Sequence, residues 1–149
     1  RDALRLKIAV LADECEGCKY HNFPYEAYPP IAKYGKMVFK NEEDVWSIID
    51  KLLEEVRNHN LNGHDFDEAS SIVSQLNFFC CPNCIIRKQD KRDIQRFIYC
   101  QEANIPAYPG DYTQHPARWV DRFFIINHAM KKKIQIKVDK EKKVISNGK

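Results

Sequence analysis

Glycine is scarce in this sequence, five residues in 149. A backbone that wraps phosphates or a cofactor needs glycine where the chain turns with positive φ or lies close against its ligand. A cofactor-cradling loop is therefore not expected, and no glycine-rich phosphate motif is found. Also lacking are an HExxH zinc-protease pair, a nucleophile motif, an internal repeat and a recognisable linker. No stretch approaches 18 apolar residues, so no membrane span and no membrane partner are expected. No charged-then-apolar leader is visible. The chain opens on Arg1 rather than Met, so a missing native start or a removed tag is expected. The net charge of +3 is too small to announce nucleic acid by itself. What is present is globular: 44% hydrophobic and 11% aromatic residues, enough chain for one domain with its own core.

The six cysteines carry the strongest signal. Cys15-Glu16-Gly17-Cys18 and Cys81-Pro82-Asn83-Cys84 are two pairs with two-residue spacing. That spacing lets one tight turn present both sulfurs to a metal, and two such turns fill the tetrahedral shell of a structural zinc. Gly17 and Asn83 tolerate the positive φ such turns often need, and Pro82 pre-sets φ at the front of the second. Between the inner cysteines lie 62 residues, positions 19–80, far more than a compact zinc ribbon uses. One structural Zn2+ held by Cys15, Cys18, Cys81 and Cys84 would thus tie distant parts of one domain together. His21 is the nearest substitute if one cysteine is not a ligand, and Cys80 is an alternative to Cys81. A set of disulfides is the rival reading. Cys80 and Cys100 are otherwise buried apolar residues.

Periodicity supplies the rest of the fold. Residues 3–11 fit a strand through Leu4, Leu6, Ile8 and Val10, and a helix through Leu4, Ile8 and Leu11; the interleaved Arg5 and Lys7 favour the strand. Residues 19–35, rich in tyrosine and proline, form an extended loop whose aromatics pack over the zinc site. Residues 36–40 make one short strand. Residues 42–58 form a helix with Asn41 as its N-cap and Asn62-Gly63 as its stop. A second helix starts near Asp65 or Asp67 and runs to Phe78. A third contains Ile94 and Phe97. A fourth begins at Pro116, carries Trp119, Phe123 and Ile126, and ends at Lys131–Lys133. Ile134, Ile136 and Val138 alternate as a final strand. The fold expected is mainly α with a few short strands, an α+β arrangement, as one zinc-stabilised domain over 1–138 with a frayed polar tail over 139–149.

Four thiolates leave no open metal position, so the zinc is expected to be structural and the chain non-enzymatic. The runner-up enzyme is an HNH-type nuclease, since His59, His64, Asp65 and Asp67 lie between the cysteine pairs. Against it, Asn62-Gly63-His64-Asp65 reads as a helix–helix turn, and the region has helical rather than hairpin periodicity. Arg87, Lys88, Lys91, Arg92 and Arg96 could track phosphates, making a zinc-dependent nucleic-acid binder the alternative. The plain reading of that segment is a solvated helix face with Asp90 and Asp93 interspersed.

The C-terminal half resembles small proteins of tailed-phage structural gene clusters. That pattern is a Cys-Pro, an aromatic-bearing helix, Leu-Pro, a glycine turn, Gln-Pro and an amphipathic helix. Here it reads Cys81-Pro82, Phe97 or Tyr99, Ile105-Pro106, Pro109-Gly110, Gln114-His115-Pro116, then Trp119 to Ile126. It departs in having the single Gly110 and in the insertion of His115. The resemblance covers about a third of the chain and implies virion or tail assembly, or takeover of a host machine, in a host cytoplasm or a virion. A protein partner is then expected on the aromatic loops, through Tyr28, Tyr108, Tyr112 and Trp119.

Overall fold

A computed structural model describes residues 1–148. In chain order it runs α1 (Asp2–Leu11), β1 (Tyr25–Ala27), β2 (Met37–Phe39), α2 (Glu42–Leu61), α3 (Glu68–Leu76), α4 (Lys88–Ala103) and α5 (Ala117–Asn147), with 3-10 turns at Pro82–Cys84 and Tyr112–Gln114. The mainly helical fold with a small sheet matches the expected class. The residues expected to form one domain gather into two compact units: Ala12–Arg87, and Arg1–Leu11 together with the chain from Lys88 onward.

In the unit Ala12–Arg87, β1 and β2 pair antiparallel with Tyr25 opposite Phe39 and Ala27 opposite Met37. Helix α2 packs on β2 and on α3. Its sequence dictates both ends. The Asn41 side chain accepts from the Asp44 N–H at 3.2 Å, and Glu42, Glu43 and Asp44 lie in the first turn, where the helix dipole favours negative charge. Gly63, at φ 100°, takes the left-handed conformation that lets the chain leave after Asn62. The face between carries Val45, Trp46, Ile49, Leu52, Leu53 and Val56, all buried. Asp67 caps α3 by accepting from the Ser70 N–H at 2.8 Å. The turn between the helices is braced by Asn60, which accepts from the Phe66 N–H at 2.8 Å and donates to the Phe66 carbonyl at 3.0 Å.

In the other unit, α1 packs against α5 and α4. Leu6 and Val10 join Phe97, Trp119, Ile126 and Ala129 in one apolar core. The strand expected over 3–11 is therefore wrong. Residues 6 and 10 are one helical turn apart, and Arg5, which argued for an exposed strand face, is 3% exposed and pairs with Asp2 one turn back at 2.8 Å. The strand expected over 134–138 is also wrong, as is the stop at Lys131–Lys133. No glycine or proline interrupts 117–147, and among the described residues of this unit there is no strand to pair with Ile134–Val138, so α5 continues. The polar tail is helical as far as Asn147. Gly110 suits its place: φ is 89°, which strains any other residue, and a Cβ there would lie 1.6 Å from Gln114 Oε1, the group that accepts from the Asp111 N–H. Asp111 and Gln114 cap the 3-10 turn reciprocally and present Pro116 at the head of α5.

Candidate metal centre

The first cysteine turn forms as its sequence requires. Gly17 has φ 107°, and its N–H points back at Cys15, holding that thiol below its ordinary range. The second turn forms differently. Asn83 does not take positive φ; Pro82 opens a 3-10 turn in which the Cys84 N–H donates to the Cys81 carbonyl at 2.9 Å.

Among the described residues, the group of His, Cys, Asp and Glu side chains placed to share a metal ion is Cys15, Cys18, His21 and Cys81, with ligand atoms all within 4.8 Å of one another. His21 Nδ1 is 3.7 Å from both Cys15 Sγ and Cys18 Sγ. A tetrahedral ion bonded to sulfur and imidazole nitrogen at zinc-like lengths sets those edges at about 3.6 Å. The four side chains could therefore hold a metal ion with little rearrangement. Three expected ligands are brought together; the fourth, Cys84, is not in the group. Its Sγ donates to the backbone carbonyls of Tyr20 at 3.0 Å and His21 at 3.3 Å, holding the loop that carries the imidazole. The signal for His21 was in the sequence, since Cys18-Lys19-Tyr20-His21 repeats the two-residue spacing one step further.

Electrostatics point the same way. Burial pushes the Cys81 thiol up to about 12. Burial also raises Cys84, with further upward pressure from Cys18 and Cys15. Sulfurs crowded without a cation resist ionisation, and a dication would reverse the effect, releasing protons as it binds. Cys80, 1% exposed, is not in the group: its Sγ donates to the Cys81 carbonyl at 3.1 Å, and burial raises its pKa above the ordinary thiol range. Cys100 lies in the other unit, outside the cluster.

The aromatic loop does pack beside the site. Tyr25 contacts Tyr20, Phe23 and Phe39 at ring centroid distances of 5.1–5.3 Å, and Phe39 continues the row to Phe79 at 5.9 Å. The Tyr25 hydroxyl donates to the Phe79 carbonyl at 2.9 Å, tying the strand after the first cysteine turn to the segment before the second. A cavity of about 790 Å3 opens next to the thiols, with Tyr28, Val73, Phe78 and Pro82 in its walls.

The other expected site residues fall into separate places. Tyr28 and Tyr112 are exposed, at 66% and 70%. Trp119 is 7% exposed in the apolar core, so its indole serves packing rather than a partner. Tyr108 accepts from Arg96 Nη1 at 2.7 Å, and the Arg96 guanidinium also stacks over the Trp119 ring at 5.6 Å. Arg87 precedes α4, and Lys88, Lys91, Arg92 and Arg96 are exposed along it. Asp90 and Asp93 are not the solvated acids expected. Both are 4% exposed and turn inward onto Arg122, which donates to Asp90 Oδ1 at 2.7 Å and to Asp93 Oδ2. Burial opposes the charge of that guanidinium, and the two carboxylates more than offset it, raising its pKa. This cluster was missed, although Arg122 sits at a core position of the 119, 122, 126, 129 stripe. His59, His64, Asp65 and Asp67 lie outside the metal-competent group, with the imidazoles of His59 and His64 packed around Phe66.

No protein-family model, curated protein or solved structure matches the chain. The tailed-phage resemblance therefore rests on its own quoted residues. No helix of the described residues is long and apolar enough to cross a membrane.

Proposed function

We propose that the chain is a non-enzymatic interaction protein whose Ala12–Arg87 unit is closed by one structural zinc on Cys15, Cys18, His21 and Cys81. The observation that carries this reading is the convergence of three sulfurs and one imidazole nitrogen within 4.8 Å. Three thiolates with one imidazole suit zinc, and four protein donors leave no position for a reacting water. The exposed aromatic residues supply a surface for a protein partner, and the tailed-phage resemblance suggests a virion component or host machine in that role. The test is elemental analysis of purified protein with thiols counted in parallel. One zinc per chain, lost in Cys81→Ser, is expected. Absence of metal together with oxidised cysteines would overturn the reading. The donors must shed protons to bind, so apparent zinc affinity should rise with pH and fall on acidification.

A second reading has one observation in its favour. Because Asp90 and Asp93 are buried on Arg122, the exposed face of α4 keeps Lys88, Lys91 and Arg92 without those acids among them. Such a face supports nucleic-acid binding, which would weaken steeply with added salt.

A further inference from the structure

Helix α5 outruns the core it helps to build. Its buried residues, Trp119, Arg122, Ile126 and Ala129, end at Ala129, and Lys133 reaches back with Nζ donating to the Val10 carbonyl at 3.0 Å. From Ile134 to Asn147 every residue is exposed or half-exposed. At 1.5 Å per residue this arm is about 21 Å long. A helix of that length on its own is marginal in water. This one also presents Ile134, Val138, Val144 and Ile145 at 64%, 36%, 72% and 70% exposure.

The spacing of the exposed and half-buried residues on this helix selects what covers them. Val120, Phe124, Asn127, Lys131, Ile134, Val138, Glu141 and Ile145 follow one another in alternating steps of four and three. That is the seam of a coiled coil, on a face of α5 distinct from the buried one. So narrow a seam suits a second helix, whereas a lipid surface takes a broader apolar stripe and nucleic acid needs none. Charge then selects the kind of helix. Positions 131–147 hold seven lysines against Asp139 and Glu141, a balance of +5. Lys137 and Lys142 flank the seam directly. A second copy would bring another +5 against this one, while an acidic helix would complement it. Within the seam, Lys131 favours an acid opposite and Glu141 a base, which sets register.

We propose that the face of α5 from Val120 to Ile145 docks an acidic amphipathic helix of another protein. This deepens the interaction reading and rests on it, but it does not depend on the metal. The probe is a synthetic helix about four heptads long with leucine in its seam, glutamate at the flanks, glutamate opposite Lys131 and lysine opposite Glu141. It is titrated into the full chain by fluorescence anisotropy, with sedimentation of the chain alone and zinc content measured on the same samples. One peptide per chain is expected. Affinity should fall roughly tenfold or more in Ile134→Asp with Val138→Asp, and again in Lys137→Glu with Lys142→Glu, where a lysine-flanked peptide should regain it. All variants change exposed residues, so circular dichroism should match wild type. Self-association of wild type lost in the same variants would overturn the proposal in favour of a second copy. Insensitivity to Ile134→Asp, or tighter binding of a DNA duplex or anionic vesicles than of the peptide, would overturn it too. Protein that takes up no zinc yet binds the peptide would sink the metal reading alone, and zinc-loaded protein that ignores the peptide would sink this one alone.

Discussion

The unit Ala12–Arg87 gathers three thiols and an imidazole; the unit built on α1, α4 and α5 gathers a guanidinium and two carboxylates. The first set consists of groups that could hold a metal ion supplied from outside. The second carries its own cation, Arg122, delivered by the helix that also supplies the apolar core. Both clusters join segments far apart in sequence, Cys15 to Cys81 in one and Asp90 to Arg122 in the other. The difference lies in what can be withdrawn. On the proposed reading a chelator takes away the first cation, whereas only a mutation takes away the second.

The largest expected effect follows from that contrast. Structural zinc in small domains binds with about 10–16 kcal/mol of apparent free energy, most of it coupled to folding. Chelation should therefore abolish amide-exchange protection around the cysteine turns and β1–β2, while α1, α4 and α5 keep theirs. Equal loss in both units would erase the comparison. Next comes Arg122→Leu, which leaves Asp90 and Asp93 buried without their shared cation. A loss of about 3–5 kcal/mol is expected, read from the urea midpoint, with zinc content unchanged. A loss below about 1 kcal/mol would mean the pair escapes to water.

A smaller effect separates ligand from support at the metal. In cobalt-substituted protein, Cys84→Ala should keep the thiolate charge-transfer absorption of three sulfurs and weaken affinity about tenfold, as loss of an outer-shell hydrogen bond does. His21→Ala should change the visible spectrum and weaken binding further. The opposite pattern would return Cys84 to the ligand set and make His21 a bystander. The smallest expected effect is that of Tyr25→Phe, which removes the hydroxyl that donates to Phe79. It should cost about 1 kcal/mol in the Ala12–Arg87 unit and leave the other unit untouched.

Legibility divides along similar lines. The α2 helix could be read from its caps and stripe because those rules act over one or two turns. The α5 helix could be read at its start and misread at its end, since three lysines suit a helix terminus without forcing one. The alternation of Ile134, Ile136 and Val138 suggested a strand, but a strand needs a neighbour, and sequence periodicity does not report whether one is there. For α1, Arg5 misled because a charged residue between apolar ones reads as solvent-facing, whereas its pairing with Asp2 lets it be buried. The acids of α4 misled in the same way: their partner lies 29 and 32 residues further on.

By itself, then, the sequence determined the class of fold, the two cysteine turns and the chemistry of a site built on thiols. Each follows from composition or from spacings within a turn. Tertiary structure brought His21 close to Cys15, Cys18 and Cys81, and it decided that Asp90 and Asp93 turn inward. It also left the end of α5 uncovered. Those outcomes depend on distances between groups separated by tens of residues, and such distances exist only once the chain has closed on itself.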